Sequence, residues 1–259
     1  MKKVFLITIL GILVTCVALA QSEETRSLSS FSEIAAEEGI NVFIKSGNKE
    51  EARVVSKSHD LDKILTDVFG DRLKIHIDNG RKWKWKSNKS VNVDVYVTYK
   101  SISGLSASSA ASINSEGVIK ANSNFDVDVS SAGDINAKIV GIDELNIDVS
   151  SSGDARLDVE AKEIKASTSS SGGIIIKGTV EYQDIEASSA GDYDGYDLIS
   201  KEAEASASSG ASIKVNVTEK MKGRASSGGS VKYKGEPKDV DADSSSGGSV
   251  RKVINVGKE

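Results

Sequence analysis

Apolar and polar residues alternate with a period of two along most of this chain. Leu145-Asn146-Ile147-Asp148-Val149 sets three aliphatic side chains on one side and two polar ones on the other. Arg156-Leu157-Asp158-Val159-Glu160 and Ser212-Ile213-Lys214-Val215-Asn216-Val217 repeat the arrangement. Such alternation predicts short strands with one buried and one solvated face. Residues 40–44, 73–77 and 91–97 alternate in the same way nearer the N-terminus. Only residues 60–69 depart from it: Leu61, Ile64, Leu65 and Val68 are spaced for one face of a helical turn.

A second period is superposed on the first. The motif Ser-Ser-x-(Gly/Ala) begins at Ser108, Ser130, Ser150, Ser169, Ser188, Ser208, Ser226 and Ser245, in steps of 22, 20, 19, 19, 20, 18 and 19 residues. A period near twenty fits a leucine-rich repeat or a β-helix. From Ser106 onward the leucines are Leu145, Leu157 and Leu198, too few for the former. The prediction is an all-β chain, a parallel β-helix of about 20 residues per coil. Coils ~4.8 Å apart put the first and last copies ~34 Å apart. The residue before each serine pair is mostly small or apolar and belongs inside. Carrying the alternation onward turns the second serine inward too. The expectation is a structural ladder of internal hydroxyls at Ser109, Ser131, Ser151, Ser170, Ser189, Ser209, Ser227 and Ser246, each needing a partner. Gly133, Gly153, Gly172, Gly191, Gly229 and Gly248 are expected to supply the backbone angles of a corner. A serine nucleophile needs a base beside it, and the chain's two histidines, His59 and His76, precede the repeats. The serines therefore read as scaffold, and no catalytic residue is assigned.

The ends and the charge narrow the setting. Lys2 and Lys3, the apolar run 4–17 and Ala18-Leu19-Ala20 read as a secretory leader, expected to be cut after Ala20. A lipid anchor on Cys16 competes with this, but Thr15 is bulkier than that processing favours. Removing residues 1–20 of 259 leaves 239 residues without cysteine, so burial and hydrogen bonds must hold the fold. The formal charge of −5 becomes −7 without the two leader lysines, which argues against nucleic acid as a partner. No later stretch is long and apolar enough for a membrane helix, so the protein is not expected to be integral to the membrane. The organisation expected is a leader (1–20), a strand-rich cap (21–105) and the repeat β-helix (106–259), the last two forming one domain over 27–256.

Outward positions offer two candidate surfaces. Asp128 should stack over Asp148, and Asp134 over Asp154, with Asp126 beside the first pair. Stacked like charges repel, and Ca²⁺ would relieve this through oxygen ligands. The first column then breaks into Ser167, Glu186, Ser206 and Arg224, so a solvated acidic face is the simpler reading, with no cofactor required. Residues 81–86 read Arg-Lys-Trp-Lys-Trp-Lys. Extended, they put Trp83 and Trp85 on one face and Lys82, Lys84 and Lys86 on the other. That strip could stack on sugar rings or pair with anionic polymers, with Trp83, Trp85, Lys82 and Lys84 as ligand-binding candidates. It could equally lid an open end of the solenoid. Residues 192–197, Asp-Tyr-Asp-Gly-Tyr-Asp, form an acidic, aromatic bend.

Phe31-Ser32-Glu33-Ile34, then Gly39-Ile40-Asn41-Val42, Leu73-Lys74-Ile75, the strand 91–99, Gly104-Leu105 and the Ser-Ser-Gly coils follow one another in an order that resembles a bacterial family, "putative auto-transporter adhesin, head GIN domain". Gly39-Ile40-Asn41 corresponds to the namesake tripeptide, and the resemblance runs from Phe31 to Val256. It implies a right-handed parallel β-helix and export by a Bacteroidetes-type bacterium. It brings no catalytic residues. No translocating β-barrel pattern accompanies it. The function expected is a non-enzymatic protein of the periplasm, outer surface or medium that binds a surface glycan or a protein partner. A β-helix polysaccharide lyase or hydrolase is the alternative, but it needs a walled cleft with clustered carboxylates or a basic residue with Ca²⁺. An ice-binding solenoid is a third reading, and it calls for regular outward threonines.

Overall fold

The computed structural model describes residues 22–78, 90–121 and 123–253. About two thirds of them lie in strands. The N-terminal strands are β1 (Ser22–Ser27), β2 (Glu33–Ala36), β3 (Asn41–Ser46), β4 (Glu51–Ser56), β5 (Ile64–Phe69), β6 (Arg72–Ile77) and β7 (Val93–Tyr99). The coils begin with β8 (Gly104–Ala107), β9 (Ser112–Lys120) and β10 (Phe125–Val129). Five long strands follow, each bending around one coil: β11 (Asp134–Val149), β12 (Asp154–Thr168), β13 (Gly173–Ala187), β14 (Asp192–Ala207) and β15 (Ser212–Ala225). The last coil is β16 (Ser230–Lys234), β17 (Asp239–Ser244) and β18 (Ser249–Lys252).

Parallel pairing stacks these strands into two walls, so the chain is an all-β solenoid as its periodicity predicts. The first wall runs β6, β2, β8, β10, the C-terminal halves of β11 to β15, then β17. Its inner column reads Leu73, Ile34, Leu105, Val127, Ile147, Ala166, Ile185, Ala205, Gly223 and Ala242. The second wall runs β7, β3, β9, the N-terminal halves of β11 to β15, β16 and β18. Its inner column is Val95, Val42, Ile113, Ile135, Ala155, Ile174, Tyr193, Ile213, Val231 and Val250. Each buried aliphatic side chain contributes about 1.5–3 kcal/mol, and one unbroken core collects them along the axis. Outside, ion pairs link successive coils, as where Asp158 accepts Lys138 (3.3 Å) and Lys177 (3.6 Å) from the coils on either side.

The corner joining the walls differs from the internal hydroxyl ladder. The second serines, Ser109, Ser131, Ser151, Ser170, Ser189, Ser209, Ser227 and Ser246, are all exposed, with φ between 47° and 54°. The chain leaves the strand conformation after the first serine, so the inside–outside parity of a strand no longer applies. The amide of Gly133 donates to Ser130 O (2.9 Å) across Ser131 and Ala132, both left-handed. This is a tight turn with two positive-φ residues, of the I′ type. What stacks is backbone: Ala110 N–H donates to Ser131 O (3.0 Å), Ala132 N–H to Ser151 O (3.1 Å), and so on down the column.

The motif glycines act differently from expectation as well. Gly133, Gly229 and Gly248 are not left-handed. A β-carbon on each would lie 2.4 Å from the carbonyl oxygen of Ala107, Ala207 and Ala225 one coil away. They are glycines because backbones approach closely there.

Gly39-Ile40-Asn41 is part of an earlier copy of the same corner. Glu38 and Gly39 are left-handed (φ 62° and 71°), and Gly39 N–H donates to Ser109 O (2.9 Å). β2 and β3 flank this corner as one coil, and β6 and β7 pair onto its outer edge. The strands before and between these build the cap, with β4 antiparallel to β7, β1 antiparallel to β4, and β5 antiparallel to β6. The helical turn expected over 60–69 is only a 3₁₀ turn at Leu61–Lys63, after which β5 is a strand. Ile64, Leu65, Thr66, Val68 and Phe69 suit a pleated surface, and the hairpin through Gly70 (φ 64°) pairs them with β6.

Candidate functional site

The outward face of the first wall carries a groove of about 430 Å³. Its rows are set by strand register. Glu33 comes from β2, Arg72 from β6, Ser106 from β8, Asp126 and Asp128 from β10, Asn146 and Asp148 from β11, Lys165 and Ser167 from β12, and Asp184 and Glu186 from β13. Gly104, Ser106 and Ser167 keep the floor low, while longer acidic side chains rise on either side. Six carboxylates, Glu33, Asp126, Asp128, Asp148, Asp184 and Glu186, face two cations, Arg72 and Lys165.

Those two cations are already engaged. Arg72 Nε donates to Glu33 at 2.7 Å, and Lys165 sits 3.0 Å from Glu144 and 3.4 Å from Glu163. The expected stacking of Asp128 on Asp148 is present, and Asn146 Nδ2 donates to Asp126 at 3.0 Å beside it. Partial burial pushes the Asp128 carboxyl above its ordinary range, and the neighbouring Asp148 and Asp126 add to this against Arg72. Asp184 is raised in the same direction, by burial first and then by Glu204 and Glu186.

A carboxyl raised in the folded state opposes folding once it ionises. Its contribution is favourable at low pH and is lost as the pH climbs through the carboxylate range. Asp128→Asn should therefore raise the melting temperature at neutral pH. The gain should vanish in melts recorded below the carboxylate range. An equal gain at every pH would contradict the electrostatic origin.

The second acidic pair is neutralised from within. Asp134 stacks on Asp154 as expected, but Arg156 pairs with Asp134 and lies 3.9 Å from Asp154. Among the described residues no three His, Cys, Asp or Glu side chains converge as a metal site requires. Trp83, Trp85, Lys82 and Lys84 lie outside the described residues. The 192–197 bend divides: Tyr193 is buried, Asp194 pairs with Lys214 (2.9 Å), and Tyr196 and Asp197 bulge outward beside Lys234. On the cap, Phe43 and Tyr96 stack at 5.1 Å with Arg53 over the Tyr96 ring. Residues 43, 53 and 96 come from three separate strands, so only the pairing of β3, β7 and β4 shows that they meet.

Comparison with solved structures finds the same fold. A putative adhesin from Parabacteroides merdae superposes with a TM-score of 0.78 at 16% identity, over 90% of this chain and 96% of that one. A putative adhesin from Parabacteroides distasonis gives 0.79 at 18% identity, over 90% and 97%. A protein from the same species described as a putative lipid binding protein gives 0.78 at 20%, over 90% and 97%. No curated protein matches. The family model described as "Putative auto-transporter adhesin, head GIN domain" matches residues 30–156 and again 140–237, and the chain belongs to that family.

Proposed function

We propose that the protein is an exported, non-enzymatic binding protein of the bacterial envelope or cell surface, and that the groove on its first wall holds the partner. The carrying observation is the crowding of carboxylates at Asp128. The fold stacks it in register on Asp148 with Asp126 on the same face of its strand, an arrangement that disfavours its own charged form. A partner offering cations or hydroxyl donors would relieve it, so a basic protein segment or a neutral glycan fits and an anionic polymer does not. The adhesin descriptions of the family and of the Parabacteroides proteins agree with such a role. The flat, repeated wall offers a long contact rather than a closed reaction chamber.

The test is a binding screen of the chain without its leader against neutral glycans and basic matrix or envelope proteins. The triple variant D126N/D128N/D148N is run alongside. Binding that weakens with added salt and is lost in the variant supports the groove. Binding that the variant leaves intact moves the function to another face. Protease shaving of intact cells separates a surface location from a periplasmic one.

A further inference from the structure

The outward face of the second wall carries a row of side chains that the packing of the core does not call for. Strand register sets Arg53, Tyr96, Phe43, Asn114 and Asn136 side by side on β4, β7, β3, β9 and β11. β4 and β3 flank β7, so the Tyr96 ring is covered on both sides. The Arg53 guanidinium lies 4.0 Å from its centroid, and the Phe43 ring lies 5.1 Å away and nearly parallel, at 19°. Phe43 is thereby held upright on the sheet with its second face turned toward β9. The next side chain there is Asn114, much shorter than a phenyl ring, and exposed Asn136 follows one coil on. Among the described residues neither asparagine side chain makes a hydrogen bond.

Beyond the asparagines the row opens into a groove of about 640 Å³ that includes Asn136 itself. Ile175 lies in it, 55% exposed, and Val118 rises at its side from an irregular stretch of β9, 42% exposed. Every charged side chain lining the groove is already paired. Lys138 and Lys177 share Asp158, Arg156 holds Asp134, Asp194 meets Lys214, and Asp197 lies 3.8 Å from Lys234. Unlike the acidic first wall, this surface has no excess charge to offer.

A ligand matched to it has an apolar face for the Phe43 ring and the exposed aliphatic side chains. It has hydroxyls at its edge for the two amides, and it carries no net charge. A sugar ring meets all three conditions. The coil spacing of ~4.8 Å is also close to the length of one sugar residue in an extended glycan, so a chain laid along the solenoid axis meets one coil per sugar. An extended protein segment would seek an open strand edge. Here β7, β3, β9, β11 and β12 are each paired on both sides.

We propose that this shelf and groove bind a neutral linear glycan, with Phe43 as the stacking platform and Asn114 and Asn136 as hydrogen-bonding groups. The site is on the other wall from the acidic groove and does not rest on it.

An array of neutral and anionic glycans tests this. It is probed with the chain without its leader and followed by calorimetry on a hexasaccharide of each bound type. Neutral glycans should bind, with an affinity indifferent to salt and to D126N/D128N/D148N. Phe43→Leu keeps the apolar burial but loses the ring, and should weaken binding at least ~10-fold, while Phe43→Trp retains it. N114A/N136A changes only outward positions and should cost about 5–10-fold with the melting temperature near that of the wild type. Silence across the neutral glycans overturns the proposal, whether or not uncharged peptides bind there instead. A salt-sensitive preference for anionic glycans also overturns it. Glycan binding that Phe43→Leu and N114A/N136A leave intact but D126N/D128N/D148N abolishes would place the sugar in the acidic groove and overturn this site alone.

Discussion

A Gly178→Ala chain should melt on the order of 10 °C below the wild type, while Gly228→Ala should melt within about 2 °C of it. Both glycines are left-handed in φ, at 121° and 76°. They differ in what a β-carbon would meet. At Gly178 it would sit 2.0 Å from Val159 O, on the next coil of the same wall, with Val159 C at 3.0 Å and its N at 3.1 Å. That backbone is held in a ladder on both sides and cannot retreat without parting two coils. A φ near 120° is also closed to residues with a β-carbon. Strain and overpacking together cost about 3–5 kcal/mol. At Gly228 nothing lies within 4 Å, and the equivalent positions Ala110, Ala132 and Ala190 already carry a β-carbon at φ 61–63°. Only a modest left-handed penalty remains there, about 1 kcal/mol. Thermal melts by circular dichroism read both variants. Equal losses would show that backbone conformation, and not the close approach of coils, governs glycine in this solenoid.

The same contrast explains what the sequence could show. Alternation and the twenty-residue period reach every coil because each strand pairs with its own repeat, so Asp128 over Asp148 and Asp134 over Asp154 follow from counting alone. Counting fails where the backbone leaves the strand region. It turned the second serines inward because parity was carried through two left-handed residues, whose angles no hydrophobic pattern records. It also gave the motif glycines to turn geometry, when the constraint is a carbonyl twenty-odd residues away in sequence. The cap was the hardest part. There β5 pairs antiparallel through a hairpin, and its apolar spacing serves a helix or a strand equally well until the partner strand is known. The groove was half legible: the acidic rows come from the period, but Glu33 and Arg72 join them only because β2 and β6, which lie outside the serine repeats, pair onto the same wall.

The largest polar feature of the core predicts a second strong effect. Tyr193 is wholly buried, and its hydroxyl donates to Gln183 Oε1 at 2.9 Å. Gln183 Nε2 donates to Ser200 Oγ at 2.7 Å, and Ser200 Oγ donates to Asn216 O at 2.9 Å. Gly195 leaves room for the ring, since a β-carbon there would lie 2.6 Å from Tyr193 Cε1. The chain thus crosses the interior at the coil where Tyr196, Asp197 and Leu198 are inserted relative to β15. Gln183→Leu strands the buried Tyr193 hydroxyl, and Tyr193→Phe strands Gln183 Oε1. Each single change should cost about 1–3 kcal/mol. The double variant removes both ends of the bond and leaves Ser200 satisfied by Asn216, so it should lie well above the sum of the singles, with a coupling of about 1–3 kcal/mol. Burial also pushes the Tyr193 hydroxyl far above its ordinary range. A raised phenol favours folding below the unfolded-state value of about 10 and loses that contribution as the pH climbs beyond it. The wild type should therefore be destabilised by alkali in a way that Tyr193→Phe largely escapes. Denaturant melts of the four chains measure the coupling, and repeating the wild type and Tyr193→Phe above pH ~10 measures the alkaline loss. Strictly additive single costs would mean that the hydroxyl and the amide are satisfied independently of each other, and the network would then be a row of separate bonds with no hold on the register of the inserted coil.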